Sequence, residues 1–562
     1  MRKNFSKIMA LSLSCAIISV SFCSCGQADE NYRDYSNSSQ GDYKQETPAV
    51  EKNDDAVSDE AVEYGDVAED GGIAYENSAE YDDCYPEYPE YPESNEEYKN
   101  FEEQGFKNPE TEPLSTFSAD VDTASYANVR RMIEDGMNVP EDAVRVEEFI
   151  NYFNYDYSAP DNDDTFGEYV EISDCPWNSA HKLMMIGVQG KKLDEKELPP
   201  SNIVFLIDSS GSMDSYDKLP LVQKAFSMLS ENLTENDRIS IVTYAGSSST
   251  VIAGADGNQK DDILDALYSI TANGSTNGEG GINTAYELAE EYFIEGGNNR
   301  VILATDGDLN VGASSESELK KLIESKRDKG IYLSVLGFGT GNYKDDRLEA
   351  VADNGNGNYS YIDSVDEAKR VLVEEMSGTL FTIAKDVKFQ VEFNPSKIKS
   401  YRLIGYDNRK MNAEDFYDNT KDAGEVGSGH SVTVLYEVEL ADEDGTYHGV
   451  ELEFAEEHAT EPPTENGREE LFKFSTAYKD VDTEEDIYKS KLFGMEKYNS
   501  EPSDKIKLAS SAAEFAMLLK NSEYKGDSDY EQILETLNSL SVDDEKVSEF
   551  YSLVKSSSFL FR

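Results

Sequence analysis

A short loop behind a strongly apolar segment carries three side chains that could bind a metal ion. Residues 203–207 have the composition of a buried strand, and Asp208, Ser210 and Ser212 follow directly. In parallel α/β sheets, ligands bind beyond the carboxyl ends of the strands. One carboxylate and two hydroxyls are hard oxygen donors, which suit Mg²⁺ or Mn²⁺ rather than zinc or copper. The loop therefore predicts a divalent-cation site.

The same D-x-S-x-S spacing also occurs at Asp34, Ser36 and Ser38, so the spacing alone decides nothing. The surroundings of the two copies differ. Only the copy at Asp208 follows a predicted strand and precedes an amphipathic helix. The apolar residues of that helix recur at helical spacing: Leu219, Val222, Ala225, Phe226 and Leu229. We therefore assign the cation site to the copy at Asp208.

Two further loops carry oxygen donors at the same predicted sheet edge. Thr276 lies in the glycine-rich residues 274–278, which open a predicted helix, and Asp306 follows the predicted strand 301–304. A single loop of this kind usually caps the next helix. Three such loops in this order, two of them behind a strand, favour a metal site instead. The predicted donors are Asp208, Ser210, Ser212, Thr276 and Asp306.

These five donors match the motif of a known fold family. The chain resembles the von Willebrand factor type A (VWA) domain, whose metal-ion-dependent adhesion site (MIDAS) uses D-x-S-x-S, a threonine and the aspartate of T-D-G. All five positions are present without substitution. The resemblance implies a Rossmann-like, doubly wound α/β fold and a bound divalent cation, Mg²⁺ first, with Mn²⁺ or Ca²⁺ as alternatives.

A wider set of segments, one of which includes Asp306, resembles the YfbK-like group of bacterial VWA lipoproteins. They are residues 115–131, 304–312, 401–406, 422–425 and 429–430. The resemblance implies a family-specific N-terminal segment at 111–198, a VWA domain at 199–380 and a family-specific C-terminal domain at 381–562. It implies no known catalytic activity.

Hydrophobic periodicity predicts an α/β fold flanked by a β-rich part. Strands and helices alternate from residue 203 to residue 352, which is typical of a parallel sheet with helices on both faces. Apolar and polar residues alternate at 387–393 and 432–438, which indicates half-buried antiparallel strands of a sandwich-like domain. Further strands are predicted at 169–172, 183–188, 450–454 and 471–474, and terminal helices near 505–520 and 530–540.

The junction behind the predicted VWA domain suggests how its parts connect. Ser364 and Glu367 form a capping box, which starts a predicted helix at 364–378 that runs almost directly into an antiparallel strand. We hypothesise that the β-rich segments on both sides of the VWA domain pack as one domain, with the VWA domain inserted. Ligand binding could then shift the flanking domain through this helix, and a rigid linker helix is the alternative.

The N-terminal sequence predicts export and a lipid anchor. A positively charged start at 2–7 precedes an apolar stretch at 8–22, which is short for a transmembrane span and typical of a signal peptide. The junction before Cys25 resembles a bacterial lipobox, which implies cleavage before Cys25 and lipidation of its thiol. The alternatives are Cys23 as the lipidated residue and an ordinary signal peptide with incidental cysteines. The mature protein would be extracytoplasmic and attached to the bacterial membrane.

The charge of the chain limits its partners. The 562 residues carry a formal net charge of −64 at pH 7, which argues against nucleic acid or a bare anionic membrane surface as partners. Residues 26–110 are acidic and poor in aliphatic residues, so they predict a disordered linker that holds the folded part away from the membrane. No disulfide framework is evident, although a bridge between Cys84 and Cys175 stays open.

The motifs of common enzyme classes are missing from the sequence. None of its four histidines has the spacing of a metal pair, and neither a Walker loop nor a G-x-S-x-G elbow occurs. A calcium-loop start at 161–164 has Phe166 where an EF-hand needs glycine. A hydrolase would also need a nearby cation, whereas Asp214, Asp217 and Asp308 are acidic.

We therefore predict a non-catalytic, metal-dependent binding protein. Three hydroxyl donors leave a divalent cation electrophilic, so that an Asp or Glu carboxylate of a partner protein can complete its coordination shell. Two alternatives remain at this point. One is a structural envelope protein whose ion only joins three loops, and the other is a metal-dependent hydrolase.

Overall fold

The structure, a computed structural model, describes residues 96–119, 122–161, 164–194, 198–274, 278–307, 316–340, 344–375, 378, 380–419, 421, 423–441, 469–481, 483–541 and 544–561. Its strands are β1 (Leu114–Ser118), β2 (Phe166–Asp174), β3 (Lys182–Gly190), β4 (Ser201–Asp208), β5 (Arg238–Tyr244), β6 (Ser248–Asp256), β7 (Asn298–Thr305), β8 (Ile331–Phe338), β9 (Tyr359–Ile362), β10 (Thr382–Phe393), β11 (Ile398–Ile404), β12 (Lys410–Met411), β13 (Val426–Gly427), β14 (Ser431–Leu440), β15 (Glu470–Asp480) and β16 (Asp486–Gly494).

The α-helices of the same part follow in chain order. They are α1 (Ala124–Glu134), α2 (Val146–Asn151), α3 (Leu219–Glu231), α4 (Lys260–Tyr268), α5 (Gly278–Glu291), α6 (Glu316–Arg327), α7 (Asp345–Asn354), α8 (Val365–Lys369), α9 (Asp504–Leu519), α10 (Tyr530–Asn538) and α11 (Glu545–Leu560). A π-helical segment, Arg370–Glu374, continues α8 directly.

A sheet with the order β6-β5-β4-β7-β8-β9 forms the centre of the predicted VWA segment. Its neighbours pair in parallel, except that the edge strand β6 runs antiparallel to β5. The side chains of β4 are buried on both faces because α3, α4 and α8 cover one face and α5, α6 and α7 cover the other. This confirms the doubly wound α/β fold. The edge strand β6 was not predicted, because its exposed and buried residues do not alternate regularly.

Two antiparallel sheets form a sandwich beside the central sheet. One has the order β11-β14-β3-β2 and the other β12-β1-β10-β15-β16, and their facing side chains share one apolar core. The strands β1 and β3 precede the central sheet in sequence, whereas their partners β10 and β14 follow it. Backbone hydrogen bonds therefore join the segments on both sides of the central sheet, as the insertion hypothesis requires.

Helices cover the outer face of the first sandwich sheet. Apolar residues of α1, α2, α9, α10 and α11 pack with outward-facing residues of β3, β11 and β14 in a second core. The two terminal helices predicted near 505–520 and 530–540 correspond to α9 and α10. The helix α11 was not predicted, although Val547, Phe550 and Val554 recur at helical spacing and are buried.

The segment 96–110 corrects the boundary of the predicted linker, because it contacts the folded part. Glu96 pairs with Arg131 at 3.0 Å, and Asn128 Nδ2 donates to Tyr98 Oη at 2.6 Å. The Phe106 ring lies against His181, with 5.2 Å between the ring centroids. The average composition of a long acidic segment does not reveal a few aromatic anchors at its end.

Several predictions concern residues outside this description. Cys25 and Cys84 lie there, as do residues 26–95 of the linker and the predicted strand at 450–454. Cys175 is buried and forms no disulfide within the described part of the chain, so a bridge to Cys84 stays open. Among the described residues, every helix is too short or too polar to span a bilayer.

Candidate metal centre

Two buried aspartates meet at one edge of the central sheet. Asp208 ends β4, and Asp306 directly follows β7. The two strands are parallel neighbours with Ile207 opposite Ala304, so their carboxyl ends lie side by side. Asp208 is 0% exposed and Asp306 is 1% exposed. The topology therefore brings together two carboxylates that are 98 positions apart in the sequence.

The loop behind β4 folds its hydroxyl groups toward one another. The backbone N–H of Ser210 donates to Asp208 Oδ1 at 2.8 Å, and the Oγ atoms of Ser210 and Ser212 are 2.9 Å apart. Ser210 is buried and Ser212 is exposed. The fully buried Met213 side chain anchors this loop in the core under α3. Three of the predicted donors thus belong to one tightly folded loop.

The predicted loop that carries Thr276 is described as far as Gly274, and this part lies against the loop behind β4. The Asn273 N–H donates to the Ser209 carbonyl at 2.8 Å, and the Gly211 N–H donates to the Gly274 carbonyl at 3.1 Å. Gly274 has a φ of +102°, a conformation that favours glycine. Thr276 itself lies outside the described residues, so its role as a donor stays a prediction.

A buried lysine, Lys218, contacts Asp306. Its Nζ donates to Asp306 Oδ2 at 2.9 Å, whereas Asp306 Oδ1 is buried and has no hydrogen-bond partner among the described residues. Sequence reasoning missed this lysine and found only acidic neighbours. The one available signal was its position directly before α3, on the loop that carries the other donors.

The surroundings of Asp208 disfavour its negative charge. Burial raises the pKa of Asp208 to about 6, the hydrogen bonds from Ser210 lower this pKa, and the nearby charge of Asp306 raises it. A cation would relieve both the desolvation and the repulsion between the two carboxylates. The unpartnered Asp306 Oδ1 and the two serine hydroxyls are hard oxygen donors, so the described residues fit a divalent cation of the Mg²⁺ type.

A second acidic cluster offers ligand atoms of the right type, but an arginine occupies it. Asp345, Asp346 and Glu349 have carboxylate oxygens within 4.8 Å of one another. Arg145 donates to Asp345 at 2.6 Å and to Glu349 at 2.7 Å. This cluster is therefore a buried ion-pair network, and the cation site remains at the edge of the central sheet.

Three stretches of the chain match models of known protein families. Family models match at residues 202–374 ("von Willebrand factor type A domain"), 378–560 ("Uncharacterized protein YfbK, C-terminal") and 92–185 ("von Willebrand factor"). The chain is 44% identical to YfbK of Escherichia coli over 350 residues, which cover 61% of each protein. It thus spans less than two thirds of the length of this curated relative.

Two solved structures are similar to parts of this chain at low TM-scores. A von Willebrand factor type A protein from Catenulispora acidiphila is 12% identical and covers 72% of this chain and 91% of its own, with a TM-score of 0.40. Proximal thread matrix protein 1 from the mussel byssus, with a zinc-occupied MIDAS motif, is 21% identical. It covers 32% of this chain and 45% of its own, with a TM-score of 0.27. Both similarities are too low to support a functional argument.

Proposed function

Because the chain contains a VWA domain followed by a YfbK C-terminal domain, we propose that it is a metal-dependent protein-binding protein without catalytic activity. The proposed site binds one divalent cation, Mg²⁺ first, with Mn²⁺ or Ca²⁺ as alternatives. Its ligands are Asp208, Ser210, Ser212, Thr276 and Asp306. The observation that supports this most is the pair of buried carboxylates at one sheet edge, one of them with an oxygen that has no hydrogen-bond partner among the described residues.

When the divalent cation is bound, we call the site loaded. The proposed ligand of the loaded site is an Asp or Glu carboxylate of a partner protein. A chain with a net charge of −64 repels acidic groups in general, so a local cation is the means by which it could hold one. The hydroxyls of Ser210 and Ser212 are neutral donors and leave part of the cation's charge uncompensated. The exposure of Ser212 gives an outside carboxylate access to this side of the site.

A purely structural role for the cation is less well supported. The loop behind β4 is already joined to the loop at 271–274 by two backbone hydrogen bonds, and Asp306 is held by Lys218. These contacts connect the loops without an ion. Hydrolysis, the other alternative, requires a general base that can reach a bound water, and Asp208 is instead buried as a proposed ligand.

Capture of the partner from membranes tests the proposed function. Tagged protein is purified from detergent-solubilised membranes in Mg²⁺ or in EDTA, and the co-purifying proteins are identified. We expect a partner that is retained in Mg²⁺, is lost in EDTA, and is lost from Asp208→Ala and Thr276→Ala in both buffers. Asp34→Ala, in the second copy of the motif, is the matched control and should behave as the unmodified protein.

Two results would contradict the proposal. One is retention of the partner by Asp208→Ala at full, chelator-sensitive affinity, which would place the site elsewhere. The other is Mg²⁺-dependent turnover of a phosphate ester or peptide that Asp208→Ala abolishes, which would indicate a hydrolase.

A further inference from the structure

Lys218 is held in a defined position beside the proposed cation site. It is only 8% exposed, and its ammonium group donates to Asp306 Oδ2 at 2.9 Å. Its alkyl stem lies against Gly339, where any Cβ would collide with it. Gly339 has a φ of +72°, so its backbone also favours glycine. The fold thus provides space for this lysine and directs its charge to one ligand.

The two oxygens of Asp306 are in different situations. Oδ2 accepts the hydrogen bond from Lys218, and Oδ1 is buried without a hydrogen-bond partner among the described residues. Lys218 therefore orients the carboxylate and leaves one oxygen for another ligand. It also brings a positive charge into a buried region that contains two carboxylates, Asp208 and Asp306.

The added charge matters for the loaded site. A divalent cation between two carboxylates has no net charge left to attract a third one. The ammonium group of Lys218 gives the cation and its two carboxylates together a net charge of one positive unit. The acidic residues Asp214 and Asp217 of the same loop are not buried, so water screens their opposing effect more strongly.

We propose that Lys218 sets the charge of the loaded site, weakening cation binding and strengthening the capture of a carboxylate. This inference rests on the proposed function and assigns the lysine a role within it. Without Lys218 the two carboxylates would bind a divalent cation more tightly, and the neutral complex would attract an acidic ligand less. The lysine thus exchanges part of the cation affinity for affinity toward the partner.

Two effects of Lys218 on cation affinity oppose each other. Loss of a group that orients a metal ligand typically lowers metal affinity by about 10-fold to 100-fold. Repulsion between an ammonium group and a divalent cation about 6 Å apart, at an effective dielectric constant of about 20, corresponds to about 10,000-fold in affinity. The charge effect is the larger one, so removal of the charge should tighten cation binding.

Lys218→Gln tests the inference, because the amide can still donate to Asp306 but carries no charge. Mn²⁺ alone is the first probe, measured by titration calorimetry. Acetate is the second probe, measured on the Mn²⁺-loaded protein by broadening of its methyl NMR signal. Lys224→Met is the matched control, since Lys224 is exposed on α3. Lys218→Met provides a second variant, and circular dichroism checks that each one folds.

In each of the two Lys218 variants, we expect the dissociation constants of Mn²⁺ and of acetate to change in opposite directions. The dissociation constant of Mn²⁺ should fall at least about threefold, and that of acetate should rise at least about threefold, while Lys224→Met changes neither. Weaker Mn²⁺ binding, or no change in either constant, would overturn the inference and leave Lys218 as an orienting residue. If the unmodified protein binds no Mn²⁺, or binds it equally well with Asp208→Ala, the proposed function itself is wrong.

Discussion

Individual residues decide how far the site could be predicted. Asp208 and Asp306 were predicted because both follow buried strands, and strand ends of a parallel sheet meet at one edge. Lys218 was not predicted, because its partner Asp306 is 88 positions away and nothing in the local sequence links the two. A local pattern reveals which donors a loop carries, whereas the counter-charge that the fold brings to them depends on tertiary packing.

Glu514 is a buried carboxyl that is not part of the proposed site, and we expect it to make the stability of the protein depend on pH. It lies on α9 with 0% exposure, accepts from Ser528 Oγ at 3.1 Å, and has no hydrogen-bond partner at Oε2 among the described residues. Burial raises its pKa to about 7, although the bond from Ser528 lowers it. Because its folded pKa lies above that of an unfolded glutamate, the protonated group stabilises the fold at low pH. This contribution is lost as the pH rises through about 7.

Glu514→Gln is therefore expected to be more stable than the unmodified protein at pH 8.5, by about 2 to 3 kcal/mol, and nearly equal to it near pH 4.5. The free energy of unfolding in urea at both pH values is the measurement. Glu531→Gln, at an exposed position of α10, is the control and should show no such dependence. An equal gain in stability at both pH values would show that packing, and not the charge, causes it.

At the scale of elements, α8 shows what periodicity predicts and what it misses. Half of the predicted capping box is present, since Ser364 Oγ accepts from the Glu367 N–H at 3.1 Å, whereas the Glu367 carboxylate accepts from Arg130, Tyr152 and Arg370. The predicted helix at 364–378 is α-helical over Val365–Lys369 and then widens into the π-helical segment Arg370–Glu374. Three consecutive buried residues, beginning with Arg370, occupy this segment. A pattern read with the α-helical period does not reveal such a change of winding.

Arg130 of α1 holds α8 in place through buried ion pairs. Its guanidinium donates to Asp363 at 2.6 and 2.8 Å and to Glu367 at 3.0 Å. It also donates to Glu549 of α11 at 2.8 Å. These contacts connect the end of the VWA segment with helices from both ends of the described chain. They favour the rigid linker helix over a helix that shifts when the site is filled.

Arg130→Met is expected to lower the free energy of unfolding by about 3 to 5 kcal/mol, because the carboxylates of Asp363 and Glu367 would remain buried with one cation fewer. Urea unfolding measures this loss. Lys369→Met removes the exposed ion pair with Glu374 and should have a much smaller effect. Similar losses for the two variants would contradict the assigned role of Arg130, and faster hydrogen exchange confined to α8 would support it.

The whole molecule combines local elements in a way that the sequence predicted only in part. The insertion of the VWA domain was inferred from the β-rich segments on both sides of it, and the pairing of β1 with β10 and of β3 with β14 agrees with it. The register of these strands was not predictable, since the paired residues are more than 200 positions apart. The contacts of residues 96–110 were missed for a different reason, since the acidic composition of the long segment hid the few aromatic anchors at its end.

The lipid anchor at Cys25 remains a proposal at this scale. We expect the mature N-terminus at Cys25, with two or three acyl chains, because one chain alone holds a protein only weakly at a membrane. Mass spectrometry of the protein isolated from membranes measures this. The variant Cys23→Ser should keep the lipid and Cys25→Ser should lose it. Lipid on Cys23, or a protein released without any acyl mass, would contradict the proposal.

The central claim is that one divalent cation binds between the loops behind β4 and β7. Crystals soaked in MnCl₂ and measured at the manganese absorption edge test it most directly, because the anomalous signal locates the ion itself. The predicted result is one strong peak about 2 Å from the hydroxyl oxygens of Ser210 and Ser212, which is absent in Asp208→Ala. No peak there, or a peak only beside Asp345 and Glu349, would contradict the account.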